Sequence, residues 1–155
     1  MNNANHPLDP NHKTPWNPSK RATARVKDPA PIPQECPNCG ESVEIVHHND
    51  VYGRAYGSWP WMYKCTSLIC DSYVGMHPYT NIPLGTLADE PTRDARRRTK
   101  KLFHQYLDKY GLTRSEGYIN LAGAMGRPKS EVHFGMFEIA DCFDAYEALY
   151  RMLRS

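Results

Sequence analysis

The chain contains the stretch Cys36-Pro37-Asn38-Cys39-Gly40, and a second cysteine pair follows in the stretch Cys65-Thr66-Ser67-Leu68-Ile69-Cys70. Two thiols separated by two residues can hold one metal ion from a tight turn, and Gly40 can adopt the positive φ that lets the chain leave that turn. The separation between the pairs suits a β-hairpin that brings two such turns together. The four cysteines therefore predict one structural Zn²⁺ ion in a closed tetrahedral site.

The second pair leaves alternatives open because its cysteines are spaced more widely than is common for zinc turns. A mixed cysteine and histidine site could recruit His47, His48 or His77. A redox-active dithiol is a further alternative, but that motif needs a helix that begins directly after a strand, and a proline and a glycine stand there instead. Cys142 is expected to be a buried core thiol on the apolar side of a predicted helix.

Residues 36–86 are predicted to form a zinc-ribbon-like β module. Polar and apolar side chains alternate over 42–47, which indicates a half-buried strand. An aromatic-rich run over 59–64 favours a second strand, and a short third strand is expected over 72–76. Asn49-Asp50 is typical of a turn between the first two strands.

Residues 87–155 are predicted to form a three-helix region packed on this module. Each helix shows apolar residues at every third or fourth position, and the first two also have recognisable capping residues. The expected bounds are Asp89 or Glu90 to Tyr110, Thr113 to Gly126, and Ile139 to Leu153. A loop or strand is expected over 132–136.

Residues 1–35 are predicted to form a disordered N-terminal arm. Seven of the thirteen prolines lie in this stretch, which contains few large apolar side chains and Trp16 as its one aromatic residue. Such a composition buries too little surface to offset the entropy lost on ordering. The predicted fold class is therefore α+β, with a zinc-ribbon-like module, a small helical region after it and a disordered arm before it.

The sequence contains no apolar run near the length of about 20 residues that spans a bilayer, and its N-terminus does not resemble a secretory signal. We therefore expect no membrane association and a cytoplasmic location. Cysteines in a reducing cytoplasm stay as thiols unless a metal binds them, which favours zinc over disulfides. The sequence leaves the oligomeric state open.

The first predicted helix is strongly basic, although the net charge of the whole chain is only +2. Several of its cations share the face opposite the apolar side, where they could neutralise phosphates. Aromatic residues of the β module, Tyr52, Tyr56, Trp59 and Trp61, could add stacking on unpaired bases. The predicted nucleic-acid-binding residues are Arg54, Arg93, Arg97, Arg98, Lys100 and Lys101. The competing interpretation is a solvated helix face beside an aromatic core.

Several separated motifs together resemble a small protein family. They are Cys36-Pro37-Asn38-Cys39, Tyr52-Gly53-Arg54-Ala55-Tyr56-Gly57, Cys70-Asp71-Ser72-Tyr73-Val74-Gly75-Met76-His77, Pro83-Leu84-Gly85-Thr86-Leu87-Ala88, Ser115-Glu116, Leu121-Ala122 and His133-Phe134-Gly135-Met136-Phe137. From about Cys36 to Leu153 the chain is similar to the zinc-finger-containing domain family of unknown function, which is carried largely by bacteriophages and prophages. The resemblance implies a zinc-binding phage or bacterial protein, and the expected location is the cytoplasm of the bacterial host if a phage encodes it. By position, its presumed ligands match Cys36, Cys39, Cys65 and Cys70, and the chain departs from the family in the wider gap of the second pair.

Three classes of function follow from these observations. An accessory protein that binds nucleic acid through the basic helix is the first, and an adapter that binds a protein of a host or phage assembly is the second. A metal-dependent nuclease is the third, with a second, open metal site drawn from His77, His104, His133 and either Asp71 or Asp141. The sequence shows no nucleophile motif or phosphate-binding loop, so no catalytic residue is assigned.

Overall fold

The computed structural model describes residues 11–155 and has the predicted α+β fold. The chain divides into two compact units, of which the first ends at Ala88 and the second begins at Asp89. The elements of the first unit, in chain order, are α1 (Lys20–Arg25), β1 (Val43–His47), α2 (Asn49–Tyr52), β2 (Trp61–Cys65) and β3 (Tyr73–Gly75). The three strands form one antiparallel sheet in the order β1-β2-β3.

Strand register places one row of large side chains on one side of the sheet. Ile45 lies opposite Tyr63, which lies opposite Val74 in turn. This side packs on a core that also includes Trp59, a residue whose Nε1 donates a hydrogen bond to the Thr80 carbonyl oxygen at 3.1 Å. The period-two alternation read over 42–47 thus corresponds to an observed strand whose core-facing residues Val43 and Ile45 are half-buried.

The N-terminal arm differs from the prediction. Residues 1–10 of the predicted disordered segment 1–35 lie outside the described residues, but the remainder contains α1. Ser19 caps this helix by accepting a hydrogen bond from the Ala22 amide at 3.1 Å, and its own amide donates to the Tyr79 carbonyl oxygen at 2.8 Å. The Trp16 ring meets the Trp61 ring edge-on at 5.4 Å. A helix cap and an aromatic contact order this stretch, and composition reveals neither.

The second unit is helical and has its own core. Its elements are α3 (Glu90–Tyr110), α4 (Arg114–Met125) and α5 (Ile139–Leu153), with short 3-10 helices at Lys129–Glu131 and Phe134–Met136 in place of the expected loop or strand. Asp89 caps α3, and Thr113 and Glu116 form the capping box of α4. Within residues 11–155, no helix is both long and apolar enough to cross a bilayer.

The helices of the second unit meet closely at a glycine. Gly117 of α4 is buried against Phe103 and Leu107, which lie on α3. A methyl group added at Gly117 would lie 2.3 Å from Leu107 Cδ2 and 3.0 Å from Phe103 Cε2. Both contacted side chains belong to the buried core of the unit, so neither can move away without disturbing its neighbours.

Gly117→Ala should therefore destabilise the protein by about 1–3 kcal/mol, because overpacking outweighs the gain in helix propensity. Gly123→Ala is the matched control, since Gly123 lies in the same helix and an added methyl group there meets nothing within 4 Å. We expect Gly123→Ala to be neutral or stabilising by up to ~1 kcal/mol. Urea unfolding followed by circular dichroism measures both effects, and equal stabilities of the two variants would contradict the packing described.

Candidate metal centre

The first cysteine pair lies in a tight turn that precedes β1. The Cys36 amide donates to the Glu41 carbonyl oxygen at 2.7 Å, and the Gly40 amide donates to the Cys36 carbonyl oxygen at 2.8 Å. Gly40 has a φ of 82°, the left-handed conformation that the sequence predicted for this position. These bonds fold residues 36–41 back on themselves, which directs both thiols to one side of the turn.

The second cysteine pair lies in the loop between β2 and β3. Cys65 is the last residue of β2, and its amide donates to the Ser72 carbonyl oxygen at 3.0 Å, which closes the base of the loop. The Ser67 amide donates to the Cys65 sulfur at 3.4 Å. The wide spacing of this pair is accommodated by Leu68 and Ile69, which are 103% and 98% exposed at the tip of the loop.

Strand pairing brings the two turns together. Val43, just after the first turn, lies opposite Cys65, and Glu35 and Ser42 form an isolated antiparallel bridge at the base of that turn. The Sγ atoms of Cys39 and Cys65 are 3.3 Å apart, and those of Cys36 and Cys70 are 3.8 Å apart. All four sulfur atoms lie within 4.8 Å of one another.

This sulfur cluster has the dimensions of a zinc site. Zinc–sulfur bonds of ~2.3 Å in a tetrahedron require sulfur–sulfur separations of about 3.8 Å. Two of the observed sulfur–sulfur separations are 3.3 and 3.8 Å and none exceeds 4.8 Å, and four thiols are the donor set typical of closed structural sites. The residues present therefore fit one structural Zn²⁺ ion, held by Cys36, Cys39, Cys65 and Cys70. Such an ion would crosslink the two turns and, with four protein ligands, leave no position for substrate.

The pKa values of two of the ligand thiols, those of Cys65 and Cys70, are shifted in opposite directions. Burial raises the pKa of the Cys65 thiol to about 12 in the metal-free chain. The Ser72 hydroxyl, 3.2 Å from the Cys70 sulfur, lowers the pKa of the Cys70 thiol to about 7. Near neutral pH Cys70 is thus the more readily ionised ligand, and zinc must displace a proton from Cys65.

A hydrogen bond between Asn38 and Ser72 supports the ligands, and the sequence did not predict it. Ser72 is fully buried, and its hydroxyl accepts a hydrogen bond from the Asn38 side-chain amide at 2.7 Å. Asn38 lies between the cysteines of the first turn, so this bond joins the two turns next to the metal position. The only sequence signal of this bond is a polar residue within the first cysteine pair and another two positions after the second pair, and that signal does not identify a partner 34 positions away.

The histidines considered as replacement ligands lie in other environments. The Nδ1 atom of His47 accepts a hydrogen bond from the Asn49 amide at 3.1 Å, and that of His48 accepts one from the Tyr56 amide at 3.1 Å. Across residues 11–155, the four cysteines are the one group of three or more potential ligand side chains within coordinating distance of one another. The second, open site suggested from His77, His104, His133, Asp71 and Asp141 is not assembled among the described residues.

The remaining cysteine is a core residue, as predicted. Cys142 is buried on α5, and its backbone carbonyl oxygen lies 3.4 Å from the Thr99 hydroxyl. Burial raises the pKa of the Cys142 thiol, which keeps it protonated and unreactive near neutral pH.

The predicted basic residues lie on both units. Arg97, Arg98, Lys100 and Lys101 are exposed on α3, and Arg93 on the same helix is half-buried. Arg54 belongs to the first unit, where its guanidinium lies 4.5 Å from the centre of the Tyr56 ring. Tyr52 and Tyr56 are exposed, but the proposed stacking role of Trp59 is wrong because its ring is buried in the core.

Fold and site together define a zinc-binding α+β protein with a four-cysteine structural site. Residues 32–152 match the family described as a zinc-finger-containing domain, and the chain belongs to that family. The match confirms the resemblance seen in the sequence and covers all four cysteines. No curated protein and no solved structure matches the chain.

The metal centre predicts a specific pattern of cysteine substitutions. Cys65→Ser should abolish stoichiometric zinc binding and destabilise the fold by several kcal/mol, since zinc binding is coupled to folding. Cys142→Ser is the control, because this buried thiol of the second unit is not one of the four clustered cysteines and its replacement should leave about one zinc per chain. Metal content of the purified variants, measured by inductively coupled plasma mass spectrometry, decides the matter. Zinc retained at full stoichiometry by Cys65→Ser would refute the assignment.

Proposed function

We propose that this zinc-binding protein is an accessory nucleic-acid-binding factor, encoded by a phage as the family resemblance implied. The observation that carries the proposal is the exposed basic side of α3. Arg97, Lys100 and Lys101 project from consecutive turns of this 21-residue helix. A row of this kind follows a phosphate backbone and binds it through counterion release, with little dependence on sequence.

The ion pairs on this helix leave its cations available for phosphate. Asp94 contacts Arg98 at 2.9 Å and Arg97 at 3.9 Å, and the two arginine side chains remain 75% exposed. Surface pairs of this type contribute between 0 and about 1 kcal/mol, which phosphate contacts easily replace. Among the described residues, neither Lys100 nor Lys101 has a carboxylate partner within 4 Å.

Arg96 differs from its neighbours and explains how α3 is anchored. Its Nε donates to the Phe137 carbonyl oxygen at 2.8 Å, and burial lowers the pKa of its guanidinium. Arg96 is therefore committed to the interior of the unit. We assign phosphate binding to Arg97, Arg98, Lys100 and Lys101, with Arg93 as a partly exposed contributor.

An aromatic cluster on the first unit supports a preference for unpaired bases. Tyr52 and Tyr56 are exposed, and their rings meet edge-on at 4.9 Å. The Arg54 guanidinium stacks on the Tyr56 ring, which places a cation beside two exposed aromatic faces. Base stacking on such faces contributes about 1–3 kcal/mol per base and is tolerant of sequence.

The proposal predicts that charge reversal on α3 weakens binding to a labelled single-stranded oligonucleotide. Arg97→Glu with Lys100→Glu should lower affinity at least about tenfold at ~50 mM salt and reduce the salt slope by roughly one to two. The matched control is Arg114→Glu with Lys129→Glu, which changes the net charge equally at exposed positions outside α3. Fluorescence anisotropy over a salt series measures both quantities.

Equal losses in the two double variants would show that net charge, and not the α3 surface, governs binding. Absence of binding by the unmodified protein at ~50 mM salt would exclude the proposal itself. Circular dichroism and zinc content establish that both variants remain folded.

A protein-binding adapter is the second candidate, and the Leu68–Ile69 tip favours it. Two adjacent large apolar side chains with essentially full exposure are costly in water and are typical of residues that enter a partner's pocket. Zinc coordination by the flanking Cys65 and Cys70 would hold this tip in a fixed shape and lower the entropic cost of docking. Complexes with a protein partner would survive nuclease treatment, whereas complexes with nucleic acid would not.

A further inference from the structure

Helix α5 carries an apolar surface beyond the one that it buries in the core. Cys142, Ala145, Ala148 and Leu149 face the interior of the second unit. A separate row remains in contact with solvent, and its members are Ile139 (50% exposed), Phe143 (64%), Tyr146 (44%) and Tyr150 (51%). A helix with apolar residues on two sides is normally covered on both.

The spacing of the exposed row is that of a helix–helix seam. Its residues follow one another at intervals of four, three and four, which is the alternation of a and d positions in a heptad repeat. Together they expose roughly 400–500 Å², as large as the largest apolar patch of a typical monomer. The pattern indicates a helical partner that packs along α5.

Three residues of this row, Ile139, Phe143 and Tyr146, form one wall of a groove. The groove has a volume of about 550 Å³ and runs between α3 and α5, with Ala95 and Leu102 of α3 in its lining. Its α3 side carries the cations Arg98 and Lys101, whereas its α5 side carries Glu147. The occupant should therefore present an apolar row with a carboxylate beside it, and α5 itself has both features.

We propose that the occupant is a second copy of this chain, and that two copies pair through the α3–α5 groove about a two-fold axis parallel to both helices. This rotation packs α5 of each copy against α3 of the other. The exposed apolar row of each copy then contacts the groove of the other copy. The acidic side of one groove then faces the basic side of the other. The contact is isologous and closes as a dimer. The inference does not rest on the proposed nucleic-acid binding. It engages Arg98 and Lys101 in the contact between copies, so that phosphate binding by the dimer would depend on Arg97 and Lys100, which do not line the groove.

The registry of the helices supports this axis. α3 and α5 run in the same direction, because Arg96 bonds to the Phe137 carbonyl oxygen and Tyr110 bonds to that of Met152. Thr99 lies level with Cys142. A pure two-fold rotation leaves each residue at its own level, so Glu147 of one copy lies about three residues, or ~4.5 Å, along the axis from Lys101 of the other. Packed helices are 8–10 Å apart, a distance that these two side chains can bridge.

The size of the contact predicts a weak dimer. Each copy offers roughly half of the ~800 Å² per partner found in standard interfaces, before the groove walls are added. We expect nuclease-treated full-length protein to approach twice the monomer mass at about 100 µM and to be monomeric near 1 µM, as measured by sedimentation equilibrium. A monomer throughout this range would overturn the proposal.

Phe143→Glu should abolish the dimer, because it places a charge at the centre of the apolar row. Arg151→Glu is the control, since Arg151 is exposed on the same helix away from the row, and its dimerisation should equal that of the unmodified chain. Circular dichroism and zinc content report whether Phe143→Glu remains folded. A folded Phe143→Glu variant that still dimerises would overturn the proposal.

A charge exchange tests the two-fold arrangement and the identity of the occupant. Lys101→Glu and Glu147→Lys should each weaken the dimer about three- to tenfold, and the double variant should recover most of that loss. Recovery requires that the two positions meet across the contact between copies. Failure of the double variant to recover would exclude the proposed two-fold arrangement.

Discussion

The first unit depends on four thiols that two turns bring within bonding distance of one cation. Its sheet has strands of only five, five and three residues, which is too little to be stable alone in water. Zinc adds a crosslink between the turn before β1 and the loop after β2, and the Asn38–Ser72 bond reinforces it. In physical terms, metal coordination replaces the apolar burial that a larger domain would use.

The second unit has capped helices and a buried core, and two of its exposed surfaces are available for binding. Caps at Asp89 and Thr113 fix the helix starts, and a core around Phe103 and Leu149 supplies the burial. What remains is a basic side on α3 and an apolar row on α5, neither of which the unit needs for its own stability. Surfaces with that property are candidates for recognition, which is why both proposals for this unit start from them.

The parts of the structure that the sequence predicted are those that short, local sequence patterns specify. The metal ligands were identified from two cysteine pairs and the glycine that follows the first pair. The helices were identified from an N-cap followed by helical periodicity. The parts that were missed depend on distant contacts. Trp59 is buried because Thr80 accepts its N–H, and α1 is ordered where Ser19 reaches Tyr79. The exposed Leu68–Ile69 tip was missed for the same reason, since exposure is a property of the folded loop.

The most direct test of the metal's role is hydrogen exchange before and after zinc is removed with a strong chelator. We expect the amides of β1, β2 and β3 to lose their protection on zinc removal, while those of α3 and α5, which are held by an apolar core, keep theirs. Restoring equimolar zinc should restore the protection. A purified chain that contains no zinc and whose sheet stays protected in the chelator would contradict the central claim.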